Sequence, residues 1–152
     1  MINPAQLVSN LVTLLREIQD LVTQMGNDKT RIYAYHDLYP TYSSLMAAIH
    51  DMPSPGIMVA WQGTEPSSFG GVDVWRHRVS IYLRARQTSS LSTPAAYYTL
   101  FRLITKGTPS SQGVPMLNVT VHSSCYPMDL PRIQRQTDAE GLDYFEIEMS
   151  FM

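Results

Sequence analysis

Residues able to do chemistry are few and scattered. The histidines are His36, His50, His77 and His122, and none lies at metal-ligand spacing from another. No HExxH, CxxC or His-x-His pair occurs, so a metal site would need assembly from distant segments. Cys125, between Ser124 and Tyr126, has no adjacent cation or helix start to lower its pKa and reads as an inert thiol. There is no GxSxG elbow, and Gly70-Gly71 lacks the Lys-Ser/Thr of a phosphate loop, so that pair reads as loop flexibility. His77 falls on the apolar side of an alternating strand, where a hydrogen-bonded core histidine is the expectation.

Glu146 and Glu148 are the remaining acid–base option, because they point the same way on the last strand. A simpler account comes from Arg76, Arg78, Arg84 and Arg86, which share one face of another strand. If both strands belong to one sheet with these faces together, the arginines can pair across it with Glu146 and Glu148. Such a face is ordinarily solvated and salt-bridged. A subunit interface is the second reading and nucleic-acid contact the third, the latter opposed by Trp75 lying on the face away from the arginines. No catalytic residue, metal ligand or cofactor is expected.

The elements that must position these residues follow from periodicity. Asn3 can cap and Pro4 suits the first helical position; Leu7, Leu11, Leu14, Ile18, Leu21 and Met25 then recur at steps of three and four, and Gly26 stops the run. One amphipathic helix of about six turns is predicted, with Val8, Val12, Leu15 and Val22 widening its stripe. That width exceeds what one small sheet needs, so the surplus at Leu7, Leu11, Leu14 and Ile18 is a candidate subunit contact. A short strand over Arg31–His36, a weak helix over Tyr42–His50 and a buried strand over Ile57–Gln62 come next, then a loop over Thr64–Gly71.

The most regular alternation is Trp75–Arg86: Trp75, His77, Val79, Ile81, Leu83 and Ala85 on one face, with Arg76, Arg78, Ser80, Tyr82, Arg84 and Arg86 on the other. After a polar linker (Gln87–Ser92), Thr93 and Pro94 open a second strong helix ended by Gly107, followed by a loop over Thr108–Pro115. Strands over Leu117–Ser123, Arg132–Thr137 and the alternating C-terminal segment complete the chain, with Asp138-Ala139-Glu140-Gly141 as a hairpin turn. The order predicts an α+β fold: an antiparallel or mixed sheet with the helices packed on one side.

The totals bound the reading. A length of 152 residues suits one domain, residues 1–152. Charged residues are 16%, below the roughly 25% usual for soluble domains, so a permanent partner is one candidate to cover the surface. A net charge of −2 gives no global attraction for nucleic acid or anionic lipid. The single cysteine forbids an internal disulfide and favours a reducing compartment, and no signal peptide or membrane span is expected.

The order of elements resembles the tail terminator proteins of long-tailed bacteriophages. It rests on the capped N-terminal helix, the Tyr33/Tyr35 strand, Met58-Val59-Ala60-Trp61, the Arg76–Arg86 strand, the Pro94–Lys106 helix and the hairpin at Asp138–Gly141. The resemblance covers nearly the whole chain by layout and size, without a diagnostic motif. It implies a structural virion protein, a subunit of a ring, typically a homo-hexamer, assembled in the host cytoplasm. The ring caps the tail tube protein, stops tube growth and faces the head-side connector, with DNA passing through. Loops over Thr64–Val72 and Thr108–Pro115 would reach the tube or connector. Another neck or head–tail joining protein, or a non-viral protein-binding adaptor, is the alternative.

Overall fold

Asn3 caps the first helix as expected: its side chain accepts from the Ala5 N–H at 2.8 Å, and Pro4 occupies the opening position. The computed structural model describes residues 3–35, 42–85, 93–108, 111–113, 132–137 and 143–152. Helix α1 runs Pro4–Glu17 and α2 runs Gln19–Gln24, so the predicted single helix is broken at Ile18, whose backbone is extended (ψ 97°). A β-branched residue tolerates that conformation well, and Leu21, Val22 and Met25 still reach the core beyond it. Gly26 (φ 72°) then ends α2, with the Asn27 N–H on Val22 O and the Gly26 N–H on Thr23 O, both at 3.0 Å.

A 3-10 turn (Lys29–Arg31) leads into β1 (Ile32–Ala34), and α3 (Tyr42–His50) follows. β2 (Gly56–Phe69) and β3 (Val72–Arg84) form a long antiparallel hairpin, and α4 spans Thr93–Lys106. β4 (Gly107–Thr108) and β5 (Ser111–Gln112) make a small two-stranded pairing inside the segment predicted as a loop. β6 (Arg132–Thr137) and β7 (Asp143–Phe151) close the described chain. The main sheet is mixed and five-stranded, in the order β1-β2-β3-β7-β6, with β1 parallel to β2 and the other pairs antiparallel. The α+β class is therefore as expected.

The alternating strands divide the sheet into two faces. On one, Ile57, Val59, Val79, Ile81, Leu83, Ile147 and Phe151 pack under α1, α2 and α4. Leu7, Leu11 and Leu15 are wholly buried there, Ile18 is 1% exposed, and Leu14 packs partly buried against the same core. The stripe that looked surplus is consumed by the chain's own sheet, so Leu7, Leu11 and Ile18 leave no apolar surface for a neighbouring subunit.

The helices do not all lie on one side. α3 covers part of the second face, where Ile49 and Met52 pack with Met58, Ala60, Tyr82 and Tyr144. A helix there is required because Met58 and Ala60 alternate with Ile57 and Val59 and would otherwise face water.

The predicted loop over Thr64–Gly71 is not a loop. β2 continues to Phe69, and a two-residue turn at Gly70 (φ 59°) and Gly71 (φ 83°) returns the chain into β3. Two successive positive φ angles are what a tight turn matched to strand twist demands, and glycine meets that demand at little cost. The register shifts at Trp61/Gly63, and beyond that bulge the hairpin continues as a ribbon.

Arg86, His36, His122, Cys125, the Leu117–Ser123 strand and the Asp138–Gly141 turn lie outside the described residues.

Candidate functional site

Beside the part under α3, the second face forms, among the described residues, a polar trough of about 650 Å³. β2 contributes Gln62 and Glu65; β3 contributes Arg76, Arg78 and Ser80; β7 contributes Glu146, Glu148 and Ser150; β6 contributes Arg132. Antiparallel register brings these together: Ser80 stands opposite Glu148, Tyr82 opposite Glu146 and Arg78 opposite Ser150, with Arg132 opposite Glu148 on the outer side. The expectation that the arginine and glutamate faces share one side of one sheet is met.

The partners found for the two carboxylates among the described residues are other side chains. Glu146, 9% exposed, accepts from Ser80 Oγ at 2.5 Å and from Gln136 Nε2 at 2.6 Å. Glu148 accepts from Arg132 at 2.6 Å and from Gln134 Nε2 at 2.9 Å. The carboxylates are thus held by the outer strand β6, whose Arg132, Gln134 and Gln136 alternate toward them. Tyr144 Oη donates to Gln136 Oε1 at 2.8 Å, so a directed chain runs from Tyr144 through Gln136 to Glu146, which Ser80 meets from the other side. A buried carboxylate with donors on both oxygens is well satisfied, and such a network fixes its members in place.

The arginines have separate fates. Arg76 Nε donates to Ser150 Oγ at 3.1 Å. Arg78 is exposed, with no hydrogen bond or ion pair to the described residues. Arg84 is 6% exposed, not solvated; its Nη1 donates to His50 O at 3.3 Å. That places a cation at the C-terminal end of α3, where unpaired carbonyls favour one. Arg84 therefore anchors the helical cover and is no part of an open arginine face.

Two tyrosines border cover and trough. Tyr82 and Tyr144 meet with ring centroids 6.0 Å apart, and Tyr82 Oη accepts from Gln62 Nε2 at 2.7 Å. Burial, then the neighbouring Glu146 charge, pushes the Tyr82 phenol far above its ordinary pKa, so it stays protonated.

His77 behaves as a core histidine. It is 2% exposed, and its Nδ1 lies 2.9 Å from Thr64 Oγ1, which also accepts from Trp61 Nε1 at 3.1 Å. Burial lowers its pKa and favours the neutral ring. This clasp straddles the bulge and ties β2 to β3 where the ribbon leaves the sheet.

A trough of this volume falls within the roughly 300–1,000 Å³ of small-molecule clefts, but those are walled mainly by apolar and aromatic groups. Here carboxylates, guanidinium groups and hydroxyls dominate. Sequence reasoning missed Arg132, Gln134 and Gln136, although their period-two spacing was a signal that one face of that strand is polar. No protein-family model matches the chain, and no curated protein matches it either.

Proposed function

We propose that the chain is a structural ring subunit of the tail-terminator kind, which caps a phage tail tube, ends its growth and meets the head-side connector. The observation that carries this reading is a long β2–β3 hairpin that runs beyond its pairing with β1 and β7, beside a charged trough on the same α+β unit. A domain built with both features is suited to repeated contact with other proteins. The resemblance in element order supplies the specific role; the α+β fold by itself hosts many others. The expected assembly is a homo-hexamer in the virion neck, formed in the host cytoplasm.

The test is to polymerise tail-tube subunits with and without the protein. Tubes of limited length carrying a ring at one end are the expected result. Tubes that grow equally long in its presence, with no ring visible by negative stain, would overturn the reading.

A further inference from the structure

The floor and the rim of the trough use their polar groups differently. Ser80, Glu146 and Ser150 line it, although each is at most 9% exposed. Ser80 and Gln136 hold the Glu146 carboxylate, and Ser150 Oγ accepts from Arg76 Nε at 3.1 Å. A floor of buried, hydrogen-bonded groups is fixed before anything binds, so a ligand does not have to order it. At the rim, four groups keep unused capacity among the described residues. Arg78 and Glu65 are exposed and form no ion pair with each other or with another described residue. Ser150 accepts through its oxygen, which leaves its hydroxyl proton to give. Gln62 gives its Nε2 to Tyr82 at 2.7 Å, which leaves its Oε1 to accept.

Register sorts these groups into two ends. The donors Arg78 and Ser150 stand opposite each other on β3 and β7, whereas the acceptors Gln62 and Glu65 belong to β2 and flank Gly63. Gly63 is the β2 partner of Arg78, and the space its missing side chain would take is open, with no atom within 4 Å of a Cβ placed there. The lining as a whole is neutral, Arg76, Arg78 and Arg132 against Glu65, Glu146 and Glu148. Net charge therefore selects neither an anion nor a cation, but separated donor and acceptor ends select a dipole. Arg78 and Glu65 are diagonal neighbours across the strand pair, roughly 7–8 Å apart. Two extended residues of peptide span about 7 Å. The geometry points to a binding site for a dipeptide-sized zwitterion lying over Gly63, its carboxylate on Arg78 and Ser150 and its ammonium on Glu65 and Gln62. A volume of about 650 Å³ leaves room for ligand side chains as well. A singly charged ligand would leave one end without its partner. The site lies within one copy, so it goes beyond the ring reading and stands or falls apart from tube capping.

Blocking the two ends of a probe in turn tests it. Glycylglycine titrated into the protein should move the amide NMR signals of Gly63, Arg78 and Ser150 saturably. N-acetylation or C-terminal amidation of the same dipeptide should each raise the Kd at least about tenfold, because one charged hydrogen-bonding end is then lost. Arg78→Gln and Glu65→Gln, both at exposed positions, should keep the wild-type circular dichroism. R78Q should lose the preference for glycylglycine over its amide and keep the preference over its N-acetyl form; E65Q should do the reverse. Shifts that do not saturate at millimolar glycylglycine, or equal affinity for the three dipeptides, would overturn the site. Variants that each keep both preferences would overturn it too, since binding would then lie elsewhere.

Discussion

The two faces of the sheet are built from the same alternating strands and end in opposite conditions. One face is closed: α1, α2 and α4 bury Leu7, Leu11, Leu15, Leu21 and Met25 completely against it. The other, among the described residues, is closed where α3 lies over Met58, Ala60 and Tyr82, and beside that it forms the charged trough. Period-two alternation says which residues share a face; it does not say how far a helix will extend over that face. Where the cover stops, polar groups take over, and their hydrogen bonds to one another replace apolar packing.

Substitutions on each face should separate these regimes. Leu11→Ala should cost about 2–5 kcal/mol by urea denaturation, because a fully buried leucine leaves a cavity between helix and sheet. Glu146→Ala should cost about 1–3 kcal/mol, since Ser80 and Gln136 then lose their acceptor in a buried setting. Arg132→Ala should cost no more than about 1 kcal/mol and lose its effect in high salt, because the Arg132–Glu148 pair is exposed, with the arginine side chain 71% accessible. If the losses for Leu11 and Arg132 were equal, the contrast between closed and open faces would fail.

A further contrast is read as a slope against pH. The folded pKa of His77 lies below the ordinary value of 6.5, so as pH falls through 6.5 the unfolded chain takes up its proton first. Its contribution is therefore full above that value and is lost as pH falls below it. His77→Gln should flatten the difference between wild-type urea midpoints at mildly acidic and neutral pH. An unchanged slope in the variant would show that the clasp with Thr64 does not depend on a neutral ring.

The parts of the fold legible in the sequence are those with a face to bury. Asn3-Pro4 and Gly26 marked the ends of the first helical run, and the alternation from His77 to Ala85 marked the central strand, because in each case burial imposes a period. The ribbon was illegible for the same reason. Thr64 to Ser68 lies beyond the core, carries no period-two pattern, and is flanked by Gly63 and Gly70-Gly71, which read as breakers. The break at Ile18 was hidden because apolar spacing continues through it to Leu21 and Met25. The composition of the trough could be anticipated, but its partners could not: charge sign alone matched arginine to glutamate, whereas register set Arg132, Gln134 and Gln136 beside the carboxylates. The burial of Arg84 likewise depended on where α3 folds back.

The claim that the open face is a contact surface is tested most directly by the mass of the protein in solution, measured by light scattering over a range of concentration and salt. The account predicts a closed oligomer of fixed stoichiometry, a hexamer on the terminator reading, that dissociates as salt screens the trough. A monomer at every micromolar concentration and at low salt would contradict it.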